Sequence, residues 1–237
     1  MIDNHIHIGQ FREIYYDPVE VIHIVMEKCV EGLCFSSTST CTQDITYSKV
    51  EDEISKTLAH IAWTPEVARP FLWYIPAFTE QGVGLVRAMD TLPYKGIKLH
   101  PLAHHWDLEE DKIVRLLNEI FEYAGHNGLP VLIHTGNSGI DAAGVFSNFF
   151  SVYPETKFIL AHCRPLNEAV ELIQRYPNVL GDTAFLAKSD FQKIIQENLV
   201  EKVIFGSDFP ITNYFSNNHW YKRKKSLHNL RRLEVIC

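Results

Sequence analysis

Histidines and carboxylates recur along this chain just after short apolar runs. The first two are His5 and His7, in Ile2-Asp3-Asn4-His5-Ile6-His7-Ile8-Gly9. Side chains on a strand alternate faces, so Asp3, His5 and His7 share one face and Asn4, Ile6 and Ile8 the other. Two imidazoles at i and i+2 can grip one metal ion, and Gly9 frees the chain to turn away from the mouth of such a site. An isolated His-x-His is equally the polar face of a half-exposed strand. The pattern recurs, however. Lys98 and His100 end one apolar run, His134 ends a second, His162 a third and Asp208 a fourth. Buried singly, each would need a polar partner; converging on one ion satisfies all of them together. Imidazoles with one carboxylate suit zinc or another first-row divalent ion. Such an ion lowers the pKa of a water toward neutrality and so supplies a nucleophile.

For these residues to meet, their strands must run side by side with their ends together. Asp17-Pro18 reads as a helix start, with Asp17 as N-cap and Pro18 at the first helical position; Val21, Ile22, Ile24, Val25 and Cys29 follow, then Gly32. A short strand over 33–35 gives way to a Ser/Thr-rich stretch, 36–42, read as a linker, the alternative being that, starting at a strand end, it lines the pocket. A helical region over 50–68 carries Pro65, a third strand spans 71–78, and a helix near 80–89 leads to a strand over 96–101. The segment 108–127 is amphipathic, with Ile113, Leu116, Leu117, Ile120, Phe121 and Ala124 on one stripe and Asn127-Gly128 as its stop. Further strands are expected over 130–136, 157–163, 179–185 and 202–208, separated by helices near 145–153, 167–176 and 190–198. Alternation of this kind predicts parallel strands with helical crossovers, and eight units in this length predict a (β/α)8 TIM barrel. A doubly wound open sheet is the competing arrangement, but no Gly-rich phosphate loop follows the first strand. No linker, repeat or low-complexity segment divides the chain, and one domain over 1–237 is expected.

The chain has 237 residues, 46% hydrophobic, with a formal charge of −7. Acidity argues against nucleic acid as a partner. The apolar runs are too short for a bilayer, and no basic leader precedes an apolar core at the N-terminus. Cys29, Cys34, Cys41, Cys163 and Cys237 form no Cys-x-x-Cys pair or framework and read as free thiols in a reducing cytoplasm.

The spaced set resembles the amidohydrolase superfamily: His5-x-His7 on the first strand, His134 on the fifth, His162 on the sixth, and Gly206-Ser207-Asp208-Phe209-Pro210 on the eighth. Gly96-Ile97-Lys98-Leu99-His100-Pro101 and Leu129-Pro130-Val131-Leu132-Ile133-His134-Thr135-Gly136 are similar to its branch of small, mostly single-metal hydrolases and decarboxylases. The likeness spans residues 1 to about 210. It implies that His5, His7, His134 and Asp208 hold one divalent ion, zinc by chemistry. It implies that His162 binds a second ion or orients the attacking water, and that Asp208 also moves the proton from water to the leaving group. Some relatives bridge two metals with a carboxylated lysine in the place of Lys98; in others a bare lysine meets substrate or pairs with a carboxylate. His100, on the same face, is either a substrate contact or a loop histidine bonded to backbone. Arg164, at the mouth, is placed to clamp a substrate carboxylate, the alternative being a salt bridge to a loop acid. His104-His105-Trp106 reads as a loop over the site. His23, His60, His126, His219 and His228 read as structural, and Trp63 and Trp73 as packing. The function expected is metal-dependent hydrolysis of a small amide, ester or lactone. Decarboxylation or hydration of a small carboxylic acid on the same scaffold is the alternative, and a non-catalytic binding barrel is the third reading.

The likeness fails after Asp208, where relatives continue into a substantial final helix. Lys222-Arg223-Lys224-Lys225 and Arg231-Arg232 place six of the chain's 22 basic residues in eleven positions. Leu227, Leu230 and Leu233 offer only a narrow apolar stripe. An atypical or shortened final helix is therefore expected, from a basic tail for an acidic partner or membrane surface or from an altered ending. The altered ending leaves the barrel poorly covered and leaning on a second copy, as a homodimer.

Overall fold

The structure is a computed structural model that describes residues 1–28, 30–61 and 67–216. In chain order its elements are β1 (Ile2–Phe11), β2 (Ile14–Tyr16), α1 (Pro18–Met26), β3 (Gly32–Ser37), α2 (Tyr47–His60), β4 (Ala68–Pro70) and β5 (Leu72–Trp73). Then come α3 (Pro76–Glu80), α4 (Leu85–Asp90), β6 (Ile97–Leu99), α5 (Asp111–His126), β7 (Pro130–His134), α6 (Ser147–Val152) and β8 (Lys157–Ala161). The last are α7 (Leu166–Arg175), β9 (Val179–Asp182), α8 (Lys188–Gln196), β10 (Val203–Ile204) and α9 (Ile211–Ser216).

The strands form a four-stranded sheet, β2-β1-β3-β4, and a six-stranded sheet, β10-β9-β8-β7-β6-β5. Every pair is parallel except the β1–β2 hairpin. The ladder around the ring is not continuous, but main-chain bonds join the two sheets at both seams. β4 and β5 are consecutive, and Phe71 N between them donates to Phe35 O at 2.7 Å while Leu72 N donates to Gly96 O at 2.9 Å. At the other seam Asn4 N donates to Phe205 O at 2.9 Å, Asp208 N to His5 O at 2.8 Å, and His7 N to Phe209 O at 2.8 Å. Counting β4–β5 as one, eight parallel strand positions alternate with helices, the (β/α)8 order expected from the sequence.

Local chemistry explains the elements. Asp17 caps α1, accepting from Val19 N and Glu20 N at 3.0 Å each. In α5 the buried stripe is Ile113, Leu116, Leu117, Ile120, Phe121 and Ala124, all packed in the main apolar core between strands and helices. A smaller cluster of Cys34, Phe71, Leu132, Ile159 and Ala161, with Leu180 and Ile204 against it, fills the ring's interior. Strand parity ties this plug to the site: two residues beyond Cys34, Phe71, Leu132, Leu180 and Ile204 stand Ser36, Trp73, His134, Asp182 and Gly206. At these five positions an apolar lower layer is thus followed by a polar or aromatic one, apart from Gly206; on β8 Ala161 lies two beyond Ile159.

Four expectations are corrected. β1 continues past Gly9 to Phe11 and turns back as β2, a hairpin the sequence reading lacked. Gly9 has φ +84°, and a Cβ there would lie 2.5 Å from Ser39 Oγ and 2.6 Å from Glu53 Oε2. The third strand is Ala68–Trp73 rather than 71–78; Pro76, read as a strand end, instead opens α3 at a position that needs no N–H. The region 80–89 holds a helix end, a turn and α4. The stretch 36–42 is no exposed linker: Ser36 to Thr40 are buried, tied down by bonds such as Thr38 Oγ1 to Ile8 O at 2.8 Å. α9 ends at Ser216; the basic tail, with His219 and His228, lies outside the described residues, as do Cys29, Trp63 and Pro65. Among the described residues no helix is long and apolar enough to cross a membrane.

Candidate active site

At the C-terminal ends of the strands, β1 presents His5 and His7 inward, both buried. His5 Nε2 lies 3.1 Å from His7 Nε2. Asp208, just beyond β10, brings Oδ1 to 2.8 Å from His7 Nε2 and 3.4 Å from His5 Nε2. These three atoms form a small triangle. Four ligands around zinc at about 2.0–2.1 Å stand roughly 3.3 Å from one another, so the triangle has the size of one face of a coordination tetrahedron. The outer nitrogens are engaged: His5 Nδ1 lies 2.7 Å from Asp182 Oδ2, and His7 Nδ1 lies 3.1 Å from Ser36 Oγ. A carboxylate behind a ligating imidazole is the usual support of such a ligand. The donor set and its spacing fit a first-row divalent ion.

His134 and His162 stand beside this triangle as a pair, Nδ1 of His134 lying 3.2 Å from Nε2 of His162. His162 is buried, its ring 5.3 Å from that of His5, and its Nδ1 has no hydrogen-bond partner. His134 Nε2 lies 3.7 Å from Asp141 Oδ2. The five residues expected as ligands thus fall into a group of three and a neighbouring pair. Among the described residues, groups of three close enough for one ion are His5, His7 and Asp208, and His5, His162 and Asp182; neither includes His134. Both His162 and Asp208 have left-handed backbone, with φ of 71° and 52°. That conformation is uncommon outside glycine and concentrates at functional sites.

Lys98 is fully buried, its Nζ 3.2 Å from His5 Nε2 and 5.8 Å from the Trp73 ring. His100 stacks on His134 with ring centroids 3.7 Å apart and on Trp73 at 5.7 Å, and its Nδ1 accepts from Ala103 N at 3.3 Å. Trp73, read as packing from sequence, therefore sits in the wall of the site, 5.4 Å from the His7 ring. His104 packs edge-on against Trp73 and lies 3.8 Å from Cys41 Sγ. Arg164 carries its guanidinium 5.5 Å from the Phe185 ring, itself 5.4 Å from His162. No acidic partner to Arg164 is found among the described residues.

Burial sets the electrostatics. Desolvation lowers the pKa of His5, His100 and His134 well below the usual imidazole range, and the nearby Lys98 charge pushes them the same way. It also brings Lys98 down to about 8. Burial raises Asp182 to about 6 and Asp3 to about 7. Burial pushes Asp208 the same way, but His5 and the hydrogen bond from His7 outweigh it and hold its carboxyl below the usual range. Neutral imidazoles beside an ionised carboxylate are the protonation states a metal ion requires.

Sequence reading passed over Asp182 and Asp141; Ser36 opens the stretch read as a linker that could line the pocket, and it meets His7. Asp182 carries the same signal as the others, a polar residue closing the apolar start of a strand; its partner His5 is 177 residues away in the chain.

A family model described as amidohydrolase matches residues 45–229, beginning after His5 and His7 and running past Asp208. No curated protein matches. Among solved structures, a probable 2-pyrone-4,6-dicarboxylic acid hydrolase from Acinetobacter baumannii, with citric acid bound, superposes with TM-score 0.66 at 11% identity, over 99% of this chain and 92% of that one. A dihydrodipicolinate synthase superposes at 0.57 and 12% identity, covering 98% and 80%. A 3-keto-D-glucoside 4-epimerase from E. coli superposes at 0.52 and 12%, covering 97% and 100%. At these identities the likeness is one of fold, the TIM barrel.

Proposed function

The chain belongs to the amidohydrolase family, and from that premise we propose that it is a metal-dependent hydrolase of a small amide, ester or lactone. The observation that carries this reading is the triangle of His5 Nε2, His7 Nε2 and Asp208 Oδ1, with edges of 3.1, 2.8 and 3.4 Å. These residues would hold one divalent ion, zinc by donor type, with the His134–His162 pair beside it. What such an ion supplies is an acidified water and a polarised carbonyl.

The chain's own groups do the rest. Asp208 is ionised, so it can take a proton from the attacking water and pass it to the leaving group. His162, buried and with Nδ1 unpartnered, orients the water from the side of β8. His100 and Trp73 form a flat aromatic wall for the substrate. Lys98 places a cation near the reacting centre, and Arg164, at the rim and resting on Phe185, would hold a substrate carboxylate in two parallel bonds. The domain is proposed as a single barrel that acts on a small molecule in the cytoplasm.

The experiment is a hydrolysis screen of amides, esters and lactones with protein stripped of metal and then reloaded with zinc. Turnover that vanishes on stripping and returns on reloading is expected. Zinc bound without hydrolysis, but with release of carbon dioxide from carboxylic acids, would replace hydrolysis by decarboxylation. No zinc bound at all would refute the metal reading.

A further inference from the structure

Asp182 closes β9 with its carboxylate wholly buried. Oδ2 lies 2.7 Å from His5 Nδ1, and Oδ1 accepts from the main-chain N–H of His162 at 2.8 Å and of Ala184 at 3.0 Å. One carboxylate thereby fixes a side chain of β1 and the main chain at the end of β8. His5 belongs to the group of three described above, and His162 to the neighbouring pair. An ionised carboxylate only accepts, so the hydrogen between it and His5 belongs to Nδ1. Nε2 then keeps its lone pair, and Nε2 is the atom that faces His7 and Asp208. A separation of 2.7 Å is that of a charge-assisted hydrogen bond, and it is made at Nδ1, the ring nitrogen that does not face His7 and Asp208. Asp182 is therefore spent on support rather than on coordination.

A second observation bears on the same corner. A Cβ on Gly206 would lie 2.8 Å from His5 Cβ and 3.1 Å from Asp182 Oδ2. Any side chain there would crowd both His5 and its carboxylate. The absence of a side chain at Gly206 is what lets β1 and β9 interact across the eighth strand position.

We propose that Asp182 is a positioning residue, admitted by Gly206, that sets the tautomer and aim of His5 and joins the three-residue group to the His134–His162 pair. Its consequence for metal affinity rests on the function proposed above; the tautomer assignment does not.

Two measurements test it. Long-range proton–nitrogen NMR on metal-free protein near neutral pH should show His5 protonated at Nδ1; a proton on Nε2 overturns the proposal whether or not the protein binds zinc. Zinc affinity, read by competition with a chromogenic chelator, should fall about 10–100-fold in Asp182→Asn. An amide that keeps its oxygen on the His162 and Ala184 N–H groups turns its NH2 toward His5, which can meet it only with Nδ1 as acceptor, and that tautomer puts the proton on Nε2. Gly206→Ala, which keeps the carboxylate, should weaken zinc in the same direction. Variants that unfold at the parent's temperature yet bind zinc within twofold of it overturn the proposal. If Asp182→Asn does not fold, Gly206→Ala and the parent's NMR spectrum still decide. A parent that binds no zinc sinks the metal reading instead, leaving the tautomer to be judged by NMR alone.

Discussion

His7 and Asp208 meet at 2.8 Å in a site with few donors to spare. Removing either with His7→Ala or Asp208→Ala should leave well under half the parent's zinc after dialysis, by elemental analysis. Asp208→Asn keeps the shape but cannot accept a proton as a carboxylate does, so turnover should fall about 10²–10⁴-fold at saturating zinc. Retention of both metal and rate would remove Asp208 from the chemistry. Arg164 stands at the rim, with its guanidinium on Phe185, away from the atoms that react. Arg164→Met should raise KM for a carboxylate-bearing substrate by about tenfold or more, the order of a lost bidentate contact, with kcat little changed. A fall in kcat at constant KM would place Arg164 in the reacting centre instead.

The elements were largely legible because their signals are local. The Asp17-Pro18 start of α1 and the stripe of α5 are written within a few turns of helix, and both appear in the structure. Apolar runs closed by His134, His162 and Asp208 marked their strands for the same reason. The gaps have physical causes too. β2 is three residues long and exposed on its first two, so no alternating pattern reveals it. Ser36 and Trp73 look like loop and packing residues until the ring brings each beside His7. Asp182 needs a partner from the other end of the chain. Packing between elements gives its own test. A Cβ on Gly96, at the foot of β6, would lie 2.5–2.7 Å from the Phe71 ring. Gly96→Ala should therefore destabilise by about 1–3 kcal/mol, read as a lower urea midpoint at unchanged slope. Ile120→Ala, on the buried stripe of α5, should cost about 2–5 kcal/mol. A loss below half a kcal/mol would show that α5 is not seated as described.

For the molecule as a whole, the buried site makes stability depend on acid. Burial holds His5, His100 and His134 well below the usual imidazole range and His104 at about 4 in the fold, so between pH 5 and about 6.5 these four take protons on unfolding. Asp3 at about 7 and Asp182 at about 6 run the other way, holding protons in the fold that they release on unfolding near pH 5. Four imidazoles against two carboxyls leave a net uptake of about two protons. Stability of the metal-free protein should then fall as pH drops from 6 to 5, by roughly 2.7 kcal/mol per unit. Denaturant titrations across that range check it, and a flat profile would contradict the buried neutral imidazoles. The seam between β1 and the eighth strand position has a consequence in time. Asn4, His5 and His7 bond to Phe205, Asp208 and Phe209, so β1 leaves the ribosome well before the segment it pairs with and waits for it. At about 5–20 residues per second, the roughly 200 residues between them take on the order of 10–40 seconds to appear. Until then the nascent chain exposes a His-x-His with no carboxylate to complete it. The ion would arrive as the seal on a finished ring, not as the seed from which it grows.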